Sequence, residues 1–571
     1  VSVKLSIAVV GAGPAGLVTA KELVQEGHEA VCFERDSGLG GIFNFRSDPN
    51  TVGVWETCRL TSSVLVTSFS DYFPNDDQGE PFQHRQARHQ EYLAYLTRYA
   101  EQFGVLPRIR FGNEVIDVSP NGGVNGWQVT VRDTNSHETQ VHQFDAVAVC
   151  SGLHRVPQVP PLPGLERFEG QILHSAHYRD TTSLRGRSAV FVGAGESGGD
   201  IIAEASRALD RCYVSLRRGV FVIPRLLNGL PNDYTGTRLL YSLPDFASRR
   251  SDPQAQRLKR RLTMALLPLA GARLAFDRCA KYITSRTRPD PPSEDVRCRE
   301  VESLIMQLRR ESGGNQFETF ATKTAAFVEA VVDGHCELRG AISAVTQRGV
   351  VFVDGSTADV DVIVLCTGFE RASAPFISVR IDLEKLYKNC FDPNWRERLA
   401  FIGFVRPSIG AIPPLAEMQA RWFAQLCSGN VHLPPVAQMQ DHIEGEVAAR
   451  KRYHRLVFHR LPHLVDFSTY LDDVAEMIGC KPRLIDLLRR PKLLYKLYTT
   501  AFSGVQYRLR GPHAEPELAA RILLHAHSHV RAVRFLDVAA AELARLVGVS
   551  RFQPQLTLVG KLRKIGSERI R

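Results

Sequence analysis

Leu5-Ser6-Ile7-Ala8-Val9-Val10-Gly11-Ala12-Gly13-Pro14-Ala15-Gly16 is the stretch from which the fold can be read. Residues 5–10 form a short apolar run rich in β-branched side chains, as in a strand buried on both faces of a parallel sheet. The glycines follow as G-x-G-x-x-G. An amphipathic stretch then leads to about Glu26, and a second apolar run, residues 30–33, closes on Glu34. A lone glycine motif is weak, but strand, loop, helix, strand and acid in this order make a strong dinucleotide signature. Gly11 makes the tight turn, Gly13 lets the backbone approach a pyrophosphate, and Gly16 lets the helix pack on the strand. The helix N-terminus faces the phosphates and Glu34 accepts hydrogen bonds from a ribose diol.

A second copy begins at Ser188-Ala189-Val190-Phe191-Val192 and turns through Gly193-Ala194-Gly195-Glu196-Ser197-Gly198. A helix to about Leu209 and the strand Cys212-Tyr213-Val214-Ser215 complete it. Where the first copy carries Glu34, the second carries Leu216, followed by Arg217 and Arg218. A carboxylate there would repel a 2′-phosphate, whereas arginine binds one through charge-assisted, often bidentate hydrogen bonds. The first site therefore suits an unphosphorylated ribose and the second suits NADPH. Two further apolar strands end alike, in Cys150-Ser151-Gly152 and in Cys366-Thr367-Gly368-Phe369, and they bracket the second copy. They are expected to be the crossings between domains, so that the NADPH domain is inserted into the first.

The 571 residues allow two or three domains, each with its own core. A formal charge of +10 is modest for this length and fits a solvated surface with extra arginines. The densest basic run, Arg257-Leu258-Lys259-Arg260-Arg261, has no interleaved aromatics, which argues against nucleic acid. Eleven scattered cysteines without C-x-x-C or zinc-like spacing are expected to be reduced thiols of a cytoplasmic protein. They also argue against a flavin-dependent disulfide reductase, which needs a close redox pair. The first apolar run leads straight into a glycine loop, so the N-terminus is expected to belong to the fold and not to a secretion signal. No apolar stretch reaches the roughly 18–20 residues that cross a bilayer. Residues 262–276, broken by Pro268, Gly271 and Arg273, suit a buried hairpin better than a membrane surface. Peripheral contact with an intracellular membrane stays open, as does a homodimer.

Just ahead of the second loop, Phe168-Glu169-Gly170-Gln171-Ile172-Leu173-His174-Ser175-Ala176-His177-Tyr178 fits the pattern F-x-G-x-x-x-H-S-x-x-Y/F. With it the chain resembles the flavin-containing monooxygenases, which are class B flavoprotein monooxygenases. Gly40-Gly41-Ile42-Phe43 is similar to that family's Gly-Gly-x-Trp loop beside the flavin, with phenylalanine for tryptophan. Phe69-Ser70-Asp71-Tyr72-Phe73-Pro74 is similar to its F-x-D-F-P stretch. Residues 403–422, with Gly410-Ala411-Ile412-Pro413, resemble the loop and helix that close over the flavin ring. Residues 478–482 and 506–512 resemble the long, eukaryotic-type members, and the likeness covers roughly residues 3–520.

The resemblance implies an α/β fold with two Rossmann-like domains. Residues 1–160 and 330–435 would form a discontinuous FAD-binding domain, and 161–329 an NADPH-binding domain with a helical insertion at about 226–315 that roofs the substrate channel. Residues 436–571 would be a helical C-terminal region. It implies FAD contacts at Gly11, Gly13, Pro14, Ala15, Gly16, Glu34, Arg35, Gly40, Gly41 and Phe43. NADPH contacts would fall at Gly193, Gly195, Glu196, Ser197, Gly198, Arg217 and Arg218, with His174, Thr367, Gly368, Gly410 and Ile412 as further cofactor residues. NADPH would reduce FAD, O2 would give a C4a-hydroperoxyflavin, and a nitrogen or sulfur of a small nucleophilic substrate would take the distal oxygen. No metal is needed for this chemistry.

One position departs from the family. Eight residues before Phe69, where members usually carry an asparagine that helps hold the oxygenated flavin, stands Thr61, followed by Ser62. Threonine keeps one donor and acceptor but lacks the amide's paired donors. This keeps open a Baeyer–Villiger monooxygenase acting on a ketone, and an uncoupled NADPH oxidase releasing hydrogen peroxide. From another class, a flavin-bearing binding protein without turnover would need one of the two cradles to be broken, and both look intact.

Overall fold

Both glycine devices fold as their residue types require. The computed structural model describes residues 4–73, 84–121, 126–227, 229–238, 296–314, 316–370 and 373–528. The strand Ser6–Val10 turns at Gly11, whose φ of 103° only glycine adopts without strain. The helix Pro14–Gln25 starts with proline at its first position, where no N–H is wanted. Glu29–Phe33 then returns parallel to the first strand. The second copy repeats the course through Ser188–Val192, Gly193 at φ 93°, the helix Glu196–Ala205 and the parallel strand Arg211–Ser215.

Each copy builds one five-stranded parallel sheet. The first runs Leu399–Phe401, Ala146–Val149, Ser6–Val10, Glu29–Phe33, Ile109–Arg110. The second runs Glu337–Arg339, Arg211–Ser215, Ser188–Val192, Val362–Leu365, Gln171–His174. The repeat extends further than the glycine motifs. In the first unit a three-stranded antiparallel meander, Asn113–Pro120, Trp127–Asp133 and Thr139–Phe144, precedes the strand Ala146–Val149. In the second, Ile342–Val345, Gly349–Phe352 and Thr357–Asp359 form another such meander before Val362–Leu365.

This placement corrects the boundary expected near residue 330. Glu337–Arg339 and Val362–Leu365 add to the second sheet, so the chain leaves that unit after Leu365 and rejoins the first sheet at Leu399–Phe401. The meander's short strands carry no helical period and no glycine signature, but the strand end Cys366-Thr367-Gly368, expected to be a crossing between domains, stands at this exit.

The expected insertion is described only at its ends, a hairpin of Leu226–Leu227 with Leu230–Pro231 and the helix Val296–Glu311. Residues 262–276 lie outside the described residues, as does the tail beyond 528. Among the described residues no helix is long and apolar enough to cross a membrane. The C-terminal helices Phe467–Ile478, Pro491–Thr499 and Pro516–His525 form no layer of their own. Their Leu471, Val474, Leu497 and Ile522 share one apolar core with Ile7, Leu17 and Leu23 of the first unit.

A buried ionic cluster ties this region together. Arg508 places Nη2 2.8 Å from Glu22 Oε1, 2.8 Å from Asp71 Oδ2 and 3.0 Å from Glu417 Oε1, and its Nε donates to Ser70 Oγ at 2.7 Å. Lys21 adds ion pairs to Glu22 and Asp71, and each of the five charged side chains is at most 2% exposed. Burial alone would raise Glu22, but Lys21, Arg508 and Arg421 overcome it and hold the carboxyl at about 2. Glu417 goes the other way, raised by burial against the pull of Arg508. Removing the central cation leaves the three carboxyl groups against Lys21, and breaking a buried pair in this way costs about 3–5 kcal/mol. Arg508→Met is therefore expected to lower the denaturation midpoint of the FAD-loaded protein sharply. An unchanged midpoint would show that the cluster does not hold the C-terminal region in place.

Candidate active site

The two cradles open into one cavity of about 1310 Å³. Gly11, Gly13, Pro14 and Ala15 line it, as do Gly193, Gly195, Glu196, Ser197 and Gly198. Neither cradle helix has a side-chain cap at its N-terminus: the cap residues are Gly13 and Gly195, and no side chain accepts from the first-turn N–H groups. Helix N-termini without caps, opening on a cavity, are the donor arrays that pyrophosphates need. A Cβ at Gly195 would meet nothing within 4 Å, and one at Gly13 nothing nearer than Gly41 Cα at 3.7 Å. The approach to both loops is open, which fits a phosphate lying against bare backbone.

The other glycines do a different job. A Cβ on Gly16 would lie 1.7 Å from Gly11 O, and one on Gly198 2.8 Å from Cys366 Cβ and 3.1 Å from Gly193 O. Both hold the helix against its loop. The strand ends Cys150 and Cys366, matched in sequence, are also matched in space, their carbonyl oxygens 3.0 Å and 3.1 Å from where the Cβ atoms of Gly11 and Gly193 would be.

Glu34 is buried, and its oxygens accept from Ala12 N at 2.7 Å and Asp36 N at 3.0 Å. Burial raises its pKa against those two backbone donors. Each carboxylate oxygen retains a second lone pair for a ribose hydroxyl. Arg35, Gly41, Phe43, Gly410, Ile412, Thr367 and Gly368 line the same cavity, and Thr367 donates to Gln158 O at 2.5 Å. Arg217 and Arg218 are exposed on its wall beyond Ser215. The residues present thus fit FAD on the first cradle and NADPH on the second.

Three of the expected contact residues do not line the cavity. Gly16 is a packing position, as above. Gly40, at φ 107°, donates to Ala12 O at 2.9 Å, and a Cβ there would lie 2.5 Å from Leu93 Cδ1, so it too serves the turn. His174 ends its strand one layer behind the wall, only 6% exposed, with Nδ1 accepting from Ala176 N at 3.0 Å and its ring 6.0 Å from that of Phe369. Burial, reinforced by neighbouring His177 and opposed by a Gly368 backbone contact, lowers its pKa to about 4.

Thr61 and Ser62 both reach the cavity wall. The Ser62 hydroxyl is engaged with Thr67 Oγ1 at 2.7 Å, leaving Thr61 as the half-buried hydroxyl of the pair. The loop is fixed from behind, because Ser63 donates through N and Oγ to Asp233 Oδ2 at 2.7 and 2.9 Å. Asp233 is buried and comes from the short helical turn Asn232–Thr235 after the inserted hairpin. This support had no sequence signal, since the two partners lie 170 residues apart.

Sequence reasoning also missed a cationic group on the wall. Arg406 and Arg460 line the cavity with Arg217 and Arg218. Desolvation in the cleft, followed by crowding from Arg406, Arg218 and Arg217, lowers Arg460 to about 10. A charge placed directly after the buried run 399–405 was the available clue to Arg406.

A family description, FMO-like: Flavin-binding monooxygenase-like, matches residues 4–251 and 319–547. The chain belongs to this family. It is a flavoprotein monooxygenase that uses FAD and NADPH. Among its relatives, the 4-hydroxybenzoate brominase (decarboxylating) of Pseudoalteromonas luteoviolacea (strain 2ta16) is 32% identical over 95% of this chain and 98% of its own. Flavin-containing monooxygenase 5 of Rattus norvegicus is 30% identical over 89% of each chain. Of solved structures, S-allyl-L-cysteine S-oxygenase from Allium sativum superposes with a TM-score of 0.56 at 23% identity, covering 84% of this chain and 89% of that one. Cyclohexanone monooxygenase from Rhodococcus sp. Phi1 bound to NADP+ gives 0.56 at 17%, covering 84% and 98%. At these identities the likeness concerns the fold of this flavin monooxygenase.

Two outcomes are expected. Arg217→Ala should raise the KM for NADPH by about 10- to 100-fold, the size of a lost charge-assisted contact, and leave that for NADH nearly unchanged. Equal losses would place the 2′-phosphate elsewhere. The second concerns pH. The unfolded chain takes up a proton at His174 as pH falls through about 6.5, the folded chain only near 4. This stability is complete above the higher value and drains away across that window. His154, lowered to about 3 by burial and by Arg406, acts in the same sense. His174→Asn should flatten the slope of the urea midpoint between about pH 7 and pH 4, and an unaltered slope would refute the assignment.

Proposed function

We propose that the enzyme transfers one oxygen atom of O2 to a soft nucleophile held in the shared cavity, with an amine nitrogen or a sulfur of a small molecule as the acceptor. The observation that carries this reading is the single cavity onto which both uncapped cradles open. FAD would lie on Gly11–Gly16 with Glu34 on its ribose, and NADPH on Gly193–Gly198 with Arg217 and Arg218 at its 2′-phosphate. When bound, the flavin supplies the redox chemistry that passes electrons from NADPH to O2 and delivers oxygen. The chain's own residues orient the two nucleotides, and Phe43, Trp55, Leu60, Phe221 and Ile412 on the wall exclude water. Thr61 offers one hydroxyl there, which can donate a single hydrogen bond. Dimethylaniline monooxygenase [N-oxide-forming] 2 of Rattus norvegicus, 31% identical over 89% of each chain, supports nitrogen as an acceptor.

A second reading rests on the brominases, which match over nearly the whole of both chains. Halide is also a soft nucleophile, so the same oxygen delivery would oxidise bromide, and the product would brominate a phenol. The Baeyer–Villiger reading has support from fold alone.

The test uses the purified yellow holoenzyme. Bleaching by NADPH without oxygen, then product formation once air enters, is expected with a thioether or a tertiary amine. Brominated phenol from bromide and 4-hydroxybenzoate, with neither sulfoxide nor N-oxide, would decide for the second reading. Peroxide equal to the NADPH consumed with every acceptor would leave an oxidase. Thr61→Asn, which restores an amide at that wall, is expected to lower the peroxide released per NADPH. No change in that ratio would show that position 61 does not govern coupling.

A further inference from the structure

Arg406 stands where the two units meet. Its backbone N donates to His463 O at 3.0 Å, and its two-residue strand, Arg406–Pro407, pairs with Leu464–Val465, so the residue starts from a fixed point. The side chain leaves the first unit and reaches the second. Nη2 lies 3.5 Å from Oε2 of Glu196, in the first turn of the second cradle helix, and Nη1 lies 3.4 Å from His154 Nε2. The guanidinium carbon sits 4.4 Å from the ring centroid of Phe320. Phe320 itself holds φ at 57°, which is strained for an aromatic residue. All four residues line the cavity.

This guanidinium is poorly compensated. A charge-assisted N–H to carboxylate bond is ordinarily about 2.7–2.9 Å long, and the contact to Glu196 is well beyond that. His154 is held neutral by burial and by Arg406 itself. Burial lowers the pKa of Arg406, and Glu196 only partly opposes it. A residue serving only to clasp the two units would close on Glu196. Here the guanidinium carbon lies over an aromatic ring and both Nη atoms make only long contacts, 3.4 and 3.5 Å, so the fork can still receive an oxyanion. Arg217 and Arg218, where the 2′-phosphate of NADPH is expected, line the same cavity after another strand, Arg211–Ser215, so Arg406 adds a further cation to the wall beside the second cradle.

We propose that Arg406, lying over Phe320, binds the carboxylate of the substrate, so that the enzyme acts on small organic acids. The assignment rests on the reading that the shared cavity is where oxygen is transferred. It narrows the substrate class within that reading, and a cofactor phosphate at Arg406 is the competing source of the same oxyanion chemistry.

The probes are 4-(methylthio)benzoate and its methyl ester, which carry the same oxidisable sulfur and differ in charge. Binding is read from the flavin difference spectrum of the oxidised holoenzyme with NADP+ bound, and turnover from sulfoxide formed with NADPH. The acid is expected to bind about 10- to 100-fold more tightly than the ester, the range of a charge-assisted pair. Arg406→Gln should abolish that preference, with Arg406→Lys recovering part of it, and any change in NADPH affinity should be smaller than the loss of acid affinity. Flavin content and melting temperature establish that the variants fold. Equal affinity for acid and ester in the native enzyme would overturn the proposal. So would an Arg406→Gln variant that weakens NADPH and keeps the acid preference, which would hand this residue to a cofactor phosphate. Acid-selective binding without sulfoxide would uphold the carboxylate site and remove sulfur oxygenation. Turnover of both probes at equal affinity would do the reverse.

Discussion

Two helix N-termini must be left without side-chain caps, facing one cavity, and much of the rest of the molecule holds them there. Their first-turn N–H groups cannot be spent on Ser or Asp caps, so each loop is closed by backbone alone: Gly11 and Gly193 at positive φ, and Gly16 and Gly198 pressed on the loop they follow. Leaving such donors unpaired costs free energy in the bare protein, which the anionic nucleotide returns on binding. The strand ends at Cys150 and Cys366 crowd the first glycine of either loop, whose positive φ already disfavours a side chain.

The first of these helices is also gripped away from its phosphate end. Lys21 and Glu22, in its second half, enter the cluster around Arg508, which also takes hold of Glu417 on the helix Ile412–Cys427. The N-terminus of that second helix, at Gly410–Ile412, lines the same cavity. One buried guanidinium therefore connects the FAD cradle, the F-x-D stretch and the helix that borders the flavin side. Glu26 extends the hold beyond the cluster through Gln425 and His513. The C-terminal helices act in this way as a brace for the cradle, which explains why they share its apolar core.

The glycine devices were legible because their function constrains short contiguous runs. Fifteen or so residues must supply turn, approach and packing in a set order, and both copies carry that order intact. The two cofactors followed from a single divergence, Glu34 in one copy against Leu216-Arg217-Arg218 in the other. The second meander itself was illegible, because its strands have three or four residues each and no turn signature that belongs to a dinucleotide domain, and only the crossing at Cys366-Thr367-Gly368 marked where its unit ends. His174, the expected contact from the F-x-G-x-x-x-H-S-x-x-Y/F pattern, stands buried at the end of an edge strand and is not among the residues that line the cavity.

Specificity was hardest to see because no short run carries it. Thr61 is positioned by Ser63, and Ser63 by Asp233 from a segment far along the chain. Arg406 meets His154, Glu196 and Phe320, each from a different stretch, and only Glu196 stands in a motif. Oxygen delivery asks little of the substrate beyond a nucleophilic atom, so the cradles are free to stay constant while the wall changes. A guanidinium at the seam between the units is a change of that sort. It comes from outside both glycine loops and touches the second only through Glu196, yet it sets the sign of charge that the cavity will accept, and charge is the property by which a small acid differs most from an amine of the same shape.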